Sequence, residues 1–312
     1  MAIQTDTIDH GEWGKVWRIA NDTAEVLALA EVGPRILSYG FWGGENQLHV
    51  FEEQAKLVGD GQYHSYAGHR LWVSPEVERT YYPDNFPVQA MRLADGVKFT
   101  APVESAPPGT GLQKEFEVRM EREGTQVTLL HRITNRGGSA TEMAPWALTV
   151  MEGGGRAILP LPPRHAMDKH HLLPQGTMAL WSYTDMADAR WKWGTSYVQL
   201  TTEVSPQARF REQMLGLFNP AGWVAYFRDG HLFVKRARVE SGKTYPDFGC
   251  NCETYTEPGF LELETLGPLR ILNPGETAEH VERWGLFKDV PGGEDEAWIE
   301  QVILPLVNQT RL

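Results

Sequence analysis

The chain has 312 residues, 41% of them hydrophobic and 22% charged, with 41 acidic against 29 basic residues and a formal net charge of −12. This composition is too apolar for disorder and supports a sizeable core, while dispersed basic residues in an acidic chain exclude nucleic acid and anionic membrane as expected partners. No run reaches the roughly 20 apolar residues of a membrane span, and the opening stretch with Asp6, Asp9 and Glu12 lacks a basic and apolar leader pattern. A cytoplasmic, single-domain protein is therefore the default expectation.

Short strand patterns open the chain at Trp17 to Ile19, Ala24 to Ala30 and Ile36 to Trp42, punctuated by Gly33-Pro34 and Gly43-Gly44. Strands at such close intervals with glycine and proline between them predict an antiparallel sandwich or barrel. Residues 61 to 87 differ in kind. Gly68-His69-Arg70-Leu71-Trp72, then Pro75-Glu76, then Tyr81-Tyr82-Pro83-Asp84-Asn85 pack histidine, arginine, carboxylates and aromatic rings into a stretch without strand alternation. Such a loop is either functional or a well-bonded surface segment, and the residues alone leave both readings open.

Alternation resumes from Leu112 to Met120 and Gln126 to Ile133, two strands that Glu123-Gly124 joins into a hairpin. The middle third, from Gly153-Gly154-Gly155 to Trp193, is rich in proline and histidine and then in Trp181, Tyr183, Trp191 and Trp193. The triple glycine is no phosphate loop, because the lysine and hydroxyl that such a loop needs are missing. The tryptophan-rich part can roof a ligand cleft or form a satellite core; Asp185, Asp188 and Arg190 among the rings favour the roof. A second hairpin turns at Arg228-Asp229-Gly230, and Asp247 follows at a turn after Pro246, where it is a candidate for binding hydroxyls. Cys250 and Cys252 are two residues apart; a bridge over so short a span would be strained, so they read as free thiols, and no soft-ligand spacing for a metal surrounds them.

In Phe260-Leu261-Glu262-Leu263-Glu264 the strand period of two puts Leu261 and Leu263 on one face and Glu262 and Glu264 on the other. Gly267-Pro268 breaks the ladder, and Asn273-Pro274-Gly275-Glu276 reverses the chain. Glutamates on a strand face are most often simply solvated. The tail from Glu294 to Ile303, acidic at its start and apolar at Trp298, Ile299, Val302 and Ile303, predicts a short docked helix.

The run Leu263-Glu264-Thr265, Pro274-Gly275-Glu276 and Trp284 to Phe287 resembles the C-terminal signature of the galactose mutarotase-like (aldose 1-epimerase) superfamily, and Gly68-His69-Arg70-Leu71-Trp72 with Pro75-Glu76 resembles a branch grouped only as a domain of unknown function. The resemblance implies a large antiparallel β-sandwich, the supersandwich of that superfamily, with a short C-terminal helix and no metal or other cofactor. It implies a sugar as the small-molecule partner and Glu264 as catalytic base. It also exposes a departure. Where the superfamily carries a histidine acid, this chain reads Met143-Ala144-Pro145-Trp146-Ala147-Leu148. His69 is then the expected acid through its loop context, with Arg70, Trp72, Glu76, Trp146, Asp247 and Glu262 as expected substrate contacts. An aldose 1-epimerase is the leading expectation; a non-catalytic sugar-binding sandwich and a glycan lyase or hydrolase are the alternatives.

Overall fold

The computed structural model describes residues 3–105, 109–202 and 211–311. Alternating apolar residues along strand after strand build two large antiparallel sheets that bury one face of each against the other. The first sheet has eleven strands. From one edge it runs Gln4–Asp9, Lys15–Ala20, Ala24–Leu29, Arg35–Phe41, His69–Ser74, Thr141–Glu152, Phe260–Leu266, Cys252–Glu257, Gln213–Leu217 and Met178–Leu180, with Arg270–Leu272 paired to the start of the Thr141–Glu152 strand. The ten strands of the second sheet run Trp191–Trp193, Tyr197–Thr201, Arg156–Pro160, Trp223–Arg228, His231–Ala237, Thr277–Phe287, Val127–Asn135, Leu112–Met120, Gly96–Val103 and Gln89–Arg92. This is the expected mostly-β sandwich.

Val26, Ile36, Phe99, Phe116, Leu129, Leu261, Leu263 and Trp284 meet between the sheets, all fully shielded from water. The inward leucines of the Phe260–Leu266 strand thus leave Glu262 and Glu264 on its outer face, as period two requires. Both expected hairpins form, between Leu112–Met120 and Val127–Asn135 and between Trp223–Arg228 and His231–Ala237. At Asn273-Pro274-Gly275-Glu276 the Glu276 amide closes the turn on the Asn273 carbonyl at 3.0 Å, with Gly275 at φ +89°. That angle is open to glycine and strained for other residues.

The C-terminal helical segment spans 296–307 and contains a wider π-type turn over Ile299–Ile303. Asp295 caps it by accepting from the Trp298 amide at 2.8 Å. Because the wide turn adds a residue, contact falls on Trp298, Ile299, Ile303 and Val307, which pack on Ile158, Trp223, Leu232 and Val234 behind the second sheet. Among the described residues no helix is long and apolar enough to cross a membrane.

Candidate functional site

Four neighbouring strands of the first sheet set the site by their register. Leu148 pairs with Arg70 on one side and with Glu264 on the other, and Glu264 pairs in turn with Glu253. Cross-strand partners point to the same face, so Arg70, Trp72, Trp146, Glu253, Glu262 and Glu264 share the outer face of the sheet. The Glu253 pairing follows from the two-residue turn at Pro258-Gly259, where proline presets the first turn angle and Gly259 takes φ +105°.

The aromatic part is a column. Trp72 stacks on Trp146 with ring centres 5.2 Å apart and planes within 5°, and Tyr63 stacks on Trp72 at 5.7 Å. The Arg70 guanidinium lies over the Trp72 ring at 4.2 Å and donates to the Tyr63 hydroxyl. The Trp72 indole is itself fixed by donating to the Thr80 carbonyl at 2.6 Å. Rings stacked in this way form a rigid apolar column beside a cation, with their faces turned on one another.

The polar part is a set of carboxyls with few donors. Trp146 donates its indole N–H to one oxygen of Glu264 at 2.7 Å; the other oxygen meets no donor, and neither does either oxygen of Glu253. Both glutamates are 1% exposed. Unpartnered buried carboxylate oxygens are costly, and sites of function are where such costs are tolerated. Burial, and then the charge of Glu262, pushes the Glu264 carboxyl well above the usual range, and burial followed by the charges of Glu264 and Asp247 does the same to Glu253. Burial also raises Asp247, whose carboxyl lies against Glu253 and accepts a long 3.4 Å contact from the Ser74 hydroxyl. Glu262 is raised by burial against the opposing pull of Arg70. Glu76 is exposed at the rim and accepts from the Tyr81 hydroxyl.

On the other face of the same strands, between the sheets, lies a second polar group. Lys235 Nζ stands 2.9 Å from Glu282, with both side chains fully buried, and donates to Thr149 at 2.9 Å and to the backbone carbonyls of Ala147 at 2.9 Å and Leu263 at 3.0 Å. Thr265 and the Trp284 indole also donate to Glu282. Burial alone would raise Glu282, but the Lys235 ammonium beside it holds it far below the carboxylate range. His131 Nδ1 donates to the His280 carbonyl at 3.1 Å, which leaves its Nε2 to accept from His69 Nε2 at 2.9 Å; His69 Nδ1 then accepts from the Thr149 hydroxyl at 2.9 Å. Burial lowers all three histidines, His131 to about 4 and His280 to about 3, so the imidazoles are neutral. The ligand atoms of His69, His131 and Glu282 lie within 4.8 Å of one another. They read as a hydrogen-bonded network and not as a metal centre, since each is already committed to a protein partner and Lys235 supplies the cation that Glu282 needs.

A surface concavity of about 800 Å³ lies elsewhere, at the edge of the second sheet, lined by Asp95, Arg119, Glu121 and Arg283. Its charges neutralise one another in the Arg119–Asp95 and Arg283–Glu121 pairs. Among the described residues the unpartnered buried carboxylate oxygens are those of Glu253 and Glu264, and that face is therefore the candidate site.

The sequence matches no protein-family model and no curated protein. Solved structures resemble it over most of its length. A candidate aldose 1-epimerase from Klebsiella pneumoniae superposes with a TM-score of 0.62 at 12% identity, covering 99% of this chain and 87% of the other. A candidate aldose 1-epimerase from Escherichia coli K12 gives 0.57 at 12% identity over 88% and 99%. A galactose mutarotase-like protein from Lactobacillus casei gives 0.55 at 10% identity over 87% and 100%. This chain has the galactose mutarotase-like fold.

Within that mutarotase-like sandwich the expected residues divide. Glu264, Glu262, Arg70, Trp72 and Trp146 share one face, with Asp247 and Glu76 beside them. His69 does not join them. The stretch expected to be irregular contains the strand His69–Ser74, and its alternation turns His69 inward onto His131 while Arg70 and Trp72 point out. His64 bonds Asp60 at 2.6 Å in the preceding loop. In the tryptophan-rich insertion Trp181 reaches over Gly216, the register partner of Glu253, and Tyr183 lies within electrostatic reach of Glu264. Trp191 enters the intersheet core, and Asp188 pairs with Arg190, tying the segment down locally. Sequence reasoning did not single out Glu253, Tyr63 or Tyr183 as site residues. For Glu253 the signal existed in Pro258-Gly259, which folds Cys252–Glu257 back onto Phe260–Leu266.

Proposed function

We propose that this chain interconverts the anomers of an aldose, with Glu264 as the base. The observation that carries the reading is the Glu264 carboxyl itself: buried, anchored through one oxygen on the Trp146 indole, and free of donors at the other. An anchored carboxylate with one open oxygen is positioned to take a proton, and its raised pKa brings its basicity toward that required near neutral pH. The Tyr63–Trp72–Trp146 column is suited to the C–H face of a pyranose, and Arg70 to its hydroxyls.

In the reaction Glu264 removes the proton of the C1 hydroxyl. The C1–O5 bond opens, its electron pair goes to O5, and C1 becomes a carbonyl. A second group has to place a proton on O5 as that bond breaks. Rotation about C1–C2 presents the other face of the carbonyl, and the same steps in reverse close the other anomer, so nothing is consumed.

The sugar-binding alternative keeps one specific support, the Ala144-Pro145-Trp146 sequence where the resembled superfamily carries a histidine. NMR exchange between anomers across a panel of free aldoses separates the two. Exchange accelerated by the wild type and lost in Glu264→Gln supports the epimerase. Sugar binding without acceleration by the folded wild type overturns it in favour of a binding protein.

A further inference from the structure

We propose that Glu253 is the proton donor of this cleft, delivering to the ring oxygen the proton that opens the sugar while Glu264 takes the proton of the anomeric hydroxyl. The assignment rests on the epimerase reading of Glu264 above.

The geometry is that of two carboxyls on adjacent strands. Glu253 and Glu264 are direct register partners in an antiparallel pair, which holds their Cα atoms at about 4.5–5.5 Å and turns both side chains outward. The two oxygens that change protons in the reaction are bonded to the same carbon, C1. The groups that serve them must therefore stand side by side, as strand partners do.

Two buried carboxyls at this separation do not both ionise; the site holds one proton between them, and its titration belongs to the pair. The donors decide where that proton sits. Glu264 has the Trp146 indole N–H at 2.7 Å and feels the Lys235 ammonium through the sheet, both of which favour its charged form against burial and the opposing charge of Glu262. Glu253 accepts from no N–H or hydroxyl on either oxygen, and its hydrogen bond with the Asp247 carboxyl favours its own protonated form. Around it are Glu264 from the neighbouring strand, Asp247 and Glu76 from the loops, and the thiols Cys250 and Cys252, with Gly216 on its other flank offering no charge. The carboxylates around Glu253 all oppose a charge on it and the buried thiols are neutral, whereas Glu264 has a donor and a cation, so the proton stays on Glu253 and the charge on Glu264. Environments that separate two carboxyls in this way define an acid and a base.

The cycle balances. Glu253 gives its proton to O5 as the C1–O5 pair moves onto that atom, while Glu264 receives the proton of O1. On ring closure Glu264 returns a proton to the carbonyl oxygen, and Glu253 takes back the proton of the C5 hydroxyl as O5 attacks C1. Both groups end as they began.

The test measures anomer exchange and, separately, sugar binding by tryptophan fluorescence, for wild type, Glu253→Gln and Glu253→Asp across pH. Glu253→Gln is expected to bind sugar with little change in affinity while kcat falls about 100-fold or more. Glu253→Asp is expected to recover part of that rate together with a descending limb at high pH, which a merely structural role would not restore. Wild-type kcat and an unmoved high-pH limb in Glu253→Gln overturn the assignment while leaving Glu264 as base. If Glu253→Gln does not fold, Glu253→Asp decides alone: an unshifted limb overturns the assignment, a displaced one supports it. A wild type that accelerates no anomer exchange overturns the epimerase reading and this assignment together.

Discussion

Lys235 and Glu282 form an ion pair at 2.9 Å that no water reaches, and the lysine also holds the backbone carbonyls of Ala147 and Leu263, on the two strands that carry Trp146 and Glu264. The ammonium thus fastens the underside of the site. Removing one partner of a buried pair strands the other charge, at a cost of about 3–5 kcal/mol. Lys235→Met is therefore expected to lower the unfolding free energy in urea by an amount of that order, seen as a lower midpoint with an unchanged slope. The double variant Lys235→Met/Glu282→Leu, which leaves no orphan charge, is expected to be more stable than the single one. A single variant within about 1 kcal/mol of wild type would show that the pair does not anchor these strands.

Trp146→Phe keeps an aromatic ring in the stack with Trp72 and deletes the indole donor to Glu264. That N–H favours the charged carboxylate, so its loss raises the pKa of Glu264 further. A base is inactive when protonated, and the ascending limb of the pH–rate profile is expected to move to higher pH. A hydrogen bond to a charged group contributes about 1.5–3 kcal/mol, so exchange on the acid side should fall roughly 10-fold or more. A limb that stays where it was would detach Trp146 from the base.

The fold and half of the site could be read in the sequence, and the reasons are local. Leu261 and Leu263 alternate with Glu262 and Glu264, so one face is apolar and the inside of that strand is unambiguous. The His69–Ser74 strand offers no such contrast. His69, Leu71 and Val73 share one face and Arg70, Trp72 and Ser74 the other, and a polar residue stands on each; only the second sheet, with His131 above His69, settles which face is inside. Lys235 is similar, a charge on the core face whose partner Glu282 is 47 residues away in sequence, on a strand that pairs with its own. Glu253 needed only the Pro258-Gly259 turn and a count of residues on either side of it.

On the proposed reading, the charge of the Glu264 face sets which sugars it prefers. Glu76, Asp247, Glu253, Glu262 and Glu264 stand on or beside that face, with the Arg70 cation among them. A phosphate there adds negative charge to a site that has little to neutralise it, and at 4 Å each unscreened pair costs between about 1 kcal/mol in water and about 4 kcal/mol in a surface environment. Neutral aldoses are expected to bind at least about 10-fold more tightly than their phosphorylated forms in a fluorescence titration at low salt. The gap should narrow as salt screens the exposed part of the repulsion. Equal or tighter binding of the phosphorylated sugar would contradict this picture of the cleft.

Glu253 also makes the protein's stability depend on pH in a direction that can be worked out. Its carboxyl is raised in the folded chain by burial and by its acidic neighbours. Below the ordinary carboxyl range both folded and unfolded chains hold the proton, and the group contributes no difference. As the pH rises above about 4.3 the unfolded chain releases its proton while the folded one keeps it. Stability is then lost with each step upward until the folded group ionises as well. Glu253→Gln removes that loss. Unfolding free energies of the two proteins should lie closest near pH 4 and diverge as pH rises, the variant becoming the more stable of the two toward pH 8, as is common when a functional group is traded for stability. His69, His131 and His280 titrate alike in both proteins, so their contribution cancels in the difference. A gap that stays constant from pH 4 to 8 would mean that Glu253 titrates normally and that its proton is not held for the ring oxygen.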